Sequence, residues 1–141
     1  MTHILTKTVV FDAPRDLVWR YLTDREKLGV WYHPAEADLA PNQPYRLMGT
    51  SDDGAPMAII TGEVLEWVPP ERLVTTFTIS PFGGATTTVT WELEEMAGGT
   101  RLTLMHSGIT EAAGNAVLSL MQAMDAGWDE HLGDLRKACA A

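Results

Sequence analysis

The sequence predicts one α+β domain in which a curved antiparallel sheet wraps around a single long C-terminal helix. Strand-like segments separated by tight turns fill residues 34–107, and such short turns join antiparallel neighbours rather than the crossover connections of a parallel sheet. One long run of apolar residues at helical spacing follows them. With 141 residues the chain is large enough for one good core, so we expect a single domain over residues 1–141.

The N-terminal part of the chain predicts one strand followed by two short helices. Residues 3–11 alternate well enough to form the strand. Asp12-Ala13-Pro14 predicts a helix start, because aspartate caps helices and proline suits the first turn. The segment Arg15–Thr23 then places apolar residues on one face, and Asp24 predicts a second N-cap for a short helix running towards Trp31.

The middle of the chain predicts about six further strands. The clearest segments are rich in β-branched and aromatic residues or alternate in polarity. They span residues 43–50, 57–67, 73–80, 86–95 and 101–107. Turns separate them at Asp53-Gly54, Pro69-Pro70, Gly83-Gly84 and Gly98-Gly99, where proline lacks the N–H that a ladder needs and glycine tolerates positive φ.

The last third predicts the long helix, from Asn115 as N-cap to about Ala138. At 1.5 Å per residue it would measure roughly 36 Å, enough to cross a small domain. Methionine and tryptophan on its apolar face suit a wall that meets an irregular space such as a cavity, although an ordinary packed core is the alternative for each residue. The apolar face contains Val117, Leu120, Met121, Met124, Trp128, His131, Leu132 and Leu135.

Charge and composition exclude several classes of partner. The net charge is −9, from 19 acidic and 10 basic residues, and the basic residues are scattered. We therefore expect neither nucleic acid nor an anionic membrane as partner. No apolar run approaches the 18 or so residues of a membrane span. The first seven residues show no signal-peptide pattern, and the single Cys139, expected in a frayed tail, suits a reducing, cytoplasmic setting.

Short motifs in a fixed order across nearly the whole chain carry a family resemblance. The chain resembles the START/Bet v 1-like (SRPBCC) superfamily of helix-grip proteins. Within it, the chain is similar to the bacterial branch related to the C-terminal domain of the activator of Hsp90 ATPase. The motifs are Phe11-Asp12-Ala13-Pro14, Val18-Trp19, Leu22-Thr23-Asp24, Lys27-Leu28, Trp31, Gly62-Glu63-Val64, Pro69-Pro70-Glu71-Arg72-Leu73, Thr100-Arg101-Leu102-Thr103-Leu104-Met105-His106-Ser107-Gly108, Gly127-Trp128, Leu132 and Leu135.

The resemblance implies a hydrophobic cavity between the sheet and the long helix. Members bind lipids, hormones or polyketides, some catalyse cyclisation or hydration, and the branch name implies a link to stress response. We therefore expect a small hydrophobic or amphipathic ligand, bound without catalysis. A protein–protein adaptor is a further alternative, but we expect no Hsp90 partner, because nothing here corresponds to the co-chaperone's separate N-terminal domain. A homodimer is supported only by the general frequency of twofold symmetric dimers.

The candidate ligand-binding residues are those whose strand or helix phase points inward. They should line one pocket of a few hundred Å³, the usual size for small ligands. The residues Trp31-Tyr32-His33 follow the second short helix, where they either gate the entrance or form an ordinary aromatic lid. The candidates are Trp31, Phe77, Trp91, His106, Met121, Met124 and Trp128.

An enzyme of the cyclase or hydratase type is the alternative function. It would use His106 as an acid or base together with an inward carboxylate, either Glu63 or Glu66. A core histidine and a solvated strand face are the competing interpretations. The sequence contains no common nucleophile, phosphate or dinucleotide motif, so we expect no catalytic residue or cofactor. Its four histidines are far apart, so we expect no metal site.

Overall fold

The computed structural model describes residues 3–113 and 117–140, which form a six-stranded sheet and four α-helices. A short 3-10 turn at Ser80–Phe82 follows the fourth strand. In chain order the elements are β1 (Leu5–Phe11), α1 (Arg15–Thr23), α2 (Arg25–Trp31), β2 (Pro44–Thr50), β3 (Pro56–Val68), β4 (Arg72–Phe77), β5 (Thr87–Met96), β6 (Gly99–Ser107), α3 (Ile109–Ala113) and α4 (Val117–Ala140).

All neighbouring strands of the sheet are antiparallel, in the order β1-β6-β5-β4-β3-β2. The register shifts between Leu47 and Met48 in β2 and between Val64 and Glu66 in β3. Such irregularities bend a strand and increase its twist, which lets the sheet curve around a helix. The predicted helix-grip architecture, with two short helices after the first strand, is therefore confirmed.

The structure corrects several details of the predicted elements. The first N-cap is Pro14 rather than Asp12, and no side chain caps α1. Asp24 is confirmed as the cap of α2, because its carboxylate accepts hydrogen bonds from Glu26 N and Lys27 N. Five strands, not about six, follow α2 in the described residues, and β4 ends at Phe77 because the chain turns at Ser80–Phe82. The predicted cap Asn115 lies outside the described residues.

The core lies between the concave side of the sheet and the C-terminal half of α4. In that half, Trp128, Leu132, Leu135 and Cys139 are buried, so the tail that we expected to fray is packed. The described N-terminal half, residues 117–127, contains no fully buried residue. Helix α4 is therefore packed closely against the sheet in its C-terminal half and less closely in its N-terminal half. Among the described residues, no helix is both long and apolar enough to cross a lipid bilayer.

Polar contacts fix the position of α4 against the sheet edge. Lys7 of β1 forms ion pairs with Asp125 at 2.6 Å and with Asp129 at 2.9 Å, one helical turn apart on α4. Arg136 Nε also donates a hydrogen bond to Val10 O at 3.1 Å. Strand β1 is at the edge of the sheet, so this hydrogen bond gives a partner to a backbone carbonyl that has no neighbouring strand on that side.

Gly62 allows an aromatic ring to cross the sheet where β3 and β4 separate. Tyr45 of β2 lies opposite Gly62 in the register, and its hydroxyl donates a hydrogen bond to Thr76 O at 2.6 Å. A Cβ atom at position 62 would lie 2.1 Å from Thr76 O and 2.7 Å from Tyr45 Cε1. Both contacts are far inside van der Waals distance, and one is to backbone, so only glycine fits there.

We predict that Gly62→Ala lowers the free energy of unfolding by at least about 1–3 kcal/mol, the usual cost of overpacking. The matched control is Gly133→Ala in α4, where no described atom lies within 4 Å of the added Cβ apart from its chain neighbours and the nearby backbone of the helix itself. That variant should gain about 0.5–1 kcal/mol, because alanine restricts the unfolded chain more than glycine does. Urea denaturation measures both effects. Equal effects of the two substitutions would contradict the proposed crowding at Gly62.

Candidate functional site

The interior of the grip is an aromatic cluster centred on Trp128 of α4. The Trp128 ring centroid lies 5.6 Å from that of Trp91, 5.6 Å from Tyr32 and 6.1 Å from Phe77. Trp31 at the end of α2 meets Trp91 edge-to-face at 6.1 Å. These separations fall in the range in which aromatic pairs attract each other beyond the effect of buried area. Helix α4, the sheet and α2 therefore meet at one set of rings.

A chain of hydrogen bonds runs beside this cluster from the helix into the sheet. Trp128 Nε1 donates to His106 Nδ1 at 3.1 Å. His106 Nε2 lies 2.8 Å from Thr87 Oγ1, and the Thr87 hydroxyl donates to Phe77 O at 2.7 Å. His106 itself is completely buried. Four residues on β4, β5, β6 and α4 thus share one polar connection in an otherwise apolar interior.

The partners of His106 fix its protonation state. An indole N–H can only donate, so Nδ1 must be unprotonated and the proton must sit on Nε2, which donates to Thr87. Burial lowers the pKa of His106 from 6.5 to about 4. A second proton would place Nδ1–H against the indole N–H and would charge a buried ring. His106 is therefore a neutral imidazole with both nitrogens occupied by protein.

The acid–base pair considered from the sequence does not form. Glu63 and Glu66 are both exposed, and Glu66 pairs with Arg72 on the outer surface at 3.2 Å. Both nitrogens of His106 are already bonded to Trp128 and Thr87, so neither faces open space. Glu63 and Glu66 therefore belong to a solvated strand face, and His106 is a core histidine. These were the competing interpretations of the sequence.

The aromatic cluster lines a small, partly open cavity of about 30 Å³. This is room for about one water molecule, and far less than the few hundred Å³ predicted from the sequence. Among the residues that the structure describes, no charged side chain lines the cavity. The lining residues are Leu22, Leu28, Trp31, Tyr32, Leu39, Tyr45, Leu47, Leu73, Thr75, Phe77, Val89, Trp91 and Trp128.

The candidate ligand-binding residues are only partly brought together at this cavity. Trp31, Phe77, Trp91 and Trp128 line it, but His106, Met121 and Met124 do not. His106 points inward as expected, yet Trp128 and Phe77 lie against its ring. The two methionines belong to the loosely packed half of α4, where they are partly buried against the core.

Three polar residues of the lining were not among the candidates: Tyr32, Tyr45 and Thr75. Burial raises the pKa of Tyr45 to about 12 and raises that of Tyr32 as well, so both phenols stay neutral. Alternation in residues 43–50 could have placed Tyr45 inward, because Tyr45 and Leu47 share the buried phase of β2. The contribution of Thr75 depends on sheet curvature, which periodicity does not reveal.

Tyr32 closes one side of the cavity and separates it from two histidines. Its ring stacks on Trp31 at 5.0 Å and contacts His33 at 4.7 Å and His131 at 4.6 Å. The two imidazole centroids are 5.8 Å apart. Within the part of the chain that the structure describes, the Tyr32 hydroxyl has no hydrogen-bond partner, so ring contacts alone hold the side chain.

Comparison with known proteins identifies one matching family and many solved structures that share the fold of this chain. The family described as activator of Hsp90 ATPase homolog 1-like protein matches residues 12–140. Among curated proteins, no sequence match was found. CalU16 of Micromonospora echinospora is 24% identical, with a TM-score of 0.78 over 98% of this chain and 76% of its own. At that identity the likeness shows a shared fold.

Two further solved structures are slightly closer in sequence. BH1534 of Bacillus halodurans is 26% identical over 99% of both chains, with a TM-score of 0.75. DynU16, described as a protein in the dynemicin biosynthetic locus, is 27% identical over 95% of this chain, with a TM-score of 0.74. The present chain spans about half of DynU16, 46% of its length.

We predict that stability falls through His106 as the pH is lowered from about 6.5 to about 4. In this window the unfolded imidazole is protonated and the folded one is not, so the unfolded state binds more protons. The contribution is therefore complete above pH 6.5 and lost towards pH 4, with a slope approaching about 1.4 kcal/mol per pH unit.

Urea denaturation of the native chain and of His106→Gln at several pH values measures this contribution, because carboxylates common to both proteins cancel in the difference. The advantage of the native chain should shrink steadily as the pH falls. A difference that is independent of pH would contradict a neutral, buried His106.

Proposed function

The chain belongs to the activator of Hsp90 ATPase homolog 1-like family, and from that premise we propose that it binds a small hydrophobic or amphipathic ligand between α4 and the sheet, without catalysis. The observation that carries the proposal is the uncharged, aromatic-lined cavity closed by Tyr32. Such a lining favours an apolar molecule with few polar atoms, because each buried polar group needs a hydrogen-bond partner.

Binding requires the cavity to enlarge, because about 30 Å³ does not admit a small organic molecule. Two features support enlargement on the side of Tyr32 and the N-terminal half of α4. The Tyr32 side chain is only partly buried and is held by ring contacts. Residues 117–127 contribute no fully buried side chain, and Leu120, Met121 and Met124 are only partly buried against the core, so displacing this half of the helix costs less buried area than displacing the half that follows.

The opposite side of the cavity is the rigid wall in this proposal. The Trp128–His106–Thr87 connection ties α4 to the sheet, and breaking it would leave buried polar groups unpaired at about 1–3 kcal/mol each. A ligand would therefore replace the Tyr32 ring against Trp31 and Trp128 and leave the polar connection intact. Because both nitrogens of His106 take part in that connection, the proposal assigns His106 a structural role and no chemistry.

We predict that Tyr32→Ala binds the neutral fluorescent probe N-phenyl-1-naphthylamine about tenfold more tightly than the native chain. In the native chain the probe must displace aromatic contacts worth about 0.5–1.5 kcal/mol each, whereas the variant has already lost them. Fluorescence titration measures both dissociation constants, and circular dichroism checks that the variant is folded.

Tyr32→Phe is the matched control for this experiment. It keeps the ring and removes only a hydroxyl that has no described partner, so its affinity should equal that of the native chain. Absence of binding to both the native chain and a folded Tyr32→Ala would contradict ligand binding at this cavity.

A further inference from the structure

One buried polar atom in the described chain lacks a partner, and it lies next to the Tyr32 closure. His131 Nδ1 is inaccessible to solvent and forms no hydrogen bond. An unpaired buried polar atom costs about 1–3 kcal/mol, and in native structures it usually has a functional explanation. Either tautomer leaves this nitrogen unsatisfied, as a bare acceptor or as an unused donor.

A second imidazole lies beside His131, and both rings contact Tyr32. His33 lies 5.8 Å from His131 between centroids, with the ring planes 63° apart. Burial lowers the pKa of His33, and the neighbouring His131 lowers it further. In the described residues neither imidazole forms an ion pair, and both rings contact Tyr32 as well as each other.

We propose that His33 and His131 form a binding site for the carboxylate of an amphipathic acid. The inference rests on the proposed function, because the apolar part of the acid would occupy the cavity and the place of the Tyr32 ring. A carboxylate has two oxygens and can accept one hydrogen bond from each imidazole. Both hydrogen bonds would be charge-assisted, and one of them would give His131 Nδ1 the partner that it lacks.

Other chemical classes fit the same groups less well. A neutral hydroxyl cannot form the two charge-assisted hydrogen bonds that an ionised carboxylate can accept from the two imidazoles. A metal ion would need further ligands, and no group of three histidine, cysteine, aspartate or glutamate side chains in the described residues is arranged to hold one. The net charge of −9 opposes an anion, and salt screening reduces the contribution of exposed charges that lie more than about 8 Å away.

The site has a defined pH dependence. In the free protein, burial and the neighbouring His131 lower the pKa of His33, whereas a carboxylate beside His33 would favour its protonated form and raise its pKa. Binding therefore takes up protons, and affinity should increase as the pH falls from about 8 to about 6. Below about pH 6 the ligand carboxylate itself begins to be protonated, so the affinity should stop increasing.

A matched pair of probes tests the proposal: trans-parinaric acid and its methyl ester, which share one fluorescent apolar chain and differ in charge. The native chain should bind the acid about tenfold more tightly than the ester at about pH 6, corresponding to one charge-assisted contact. This preference should decrease at about pH 8. Fluorescence titration excited through the tryptophans of the cavity measures all four dissociation constants.

The variant His131→Phe keeps an aromatic ring against Tyr32 and removes the nitrogens, so it should bind acid and ester equally. His33→Phe, at a partly exposed position, serves the same purpose if the helix variant does not fold. His3→Phe is the matched control, because His3 is exposed at the N-terminal end, and it should keep the full preference.

The outcomes separate this inference from the proposed function. Equal binding of acid and ester by the native chain would overturn the carboxylate site and leave ligand binding intact. The same conclusion would follow if the preference survived in both His131→Phe and His33→Phe. Failure of both probes to bind the native chain would count against the proposed function, and the carboxylate site would fall with it.

Discussion

The hydrogen-bonded connection from Trp128 through His106 and Thr87 to Phe77 O determines how the sheet can hold the helix. Trp128 and His106 must approach within 3.1 Å, so one rotational setting of α4 satisfies both polar groups inside an apolar interior. Any other setting leaves an indole N–H and an imidazole nitrogen buried without partners, which costs more than a typical hydrogen bond gains. The aromatic cluster and the cavity lie beside this fixed point.

Firm packing at one end of α4 is what permits loose packing at the other. The C-terminal half buries Leu132, Leu135 and Cys139, and Lys7 holds the middle of the helix to β1 through Asp125 and Asp129. The half that precedes Trp128 therefore does not need to contribute fully buried side chains. The proposed enlargement of the cavity is on this side, where Tyr32 would be the replaceable wall and the two histidines lie next to it.

Periodicity predicted most of the fold and only part of the site. Alternation in β5 and β6 placed Trp91 and His106 inward, and helical spacing placed Trp128 on the buried face, because these positions depend on local geometry. The size of the cavity depends on how far rings from α2, β5 and α4 approach one another, which no single segment encodes. Tyr45 was missed as a lining residue, and His33 and His131 were each noted in their own segments but not as a pair, because only long-range contacts bring the two rings together.

The five tryptophans allow one measurement of where a ligand lies. Their indole N–H signals can be followed by ¹⁵N NMR as N-phenyl-1-naphthylamine is added to the native chain. Trp31, Trp91 and Trp128 line the cavity, whereas Trp19 and Trp67 pack against each other at 5.2 Å and do not. The account predicts shifts of the first three signals and constant positions for the other two. Largest shifts at Trp19 and Trp67, or no shift of any signal, would contradict a ligand site between α4 and the sheet.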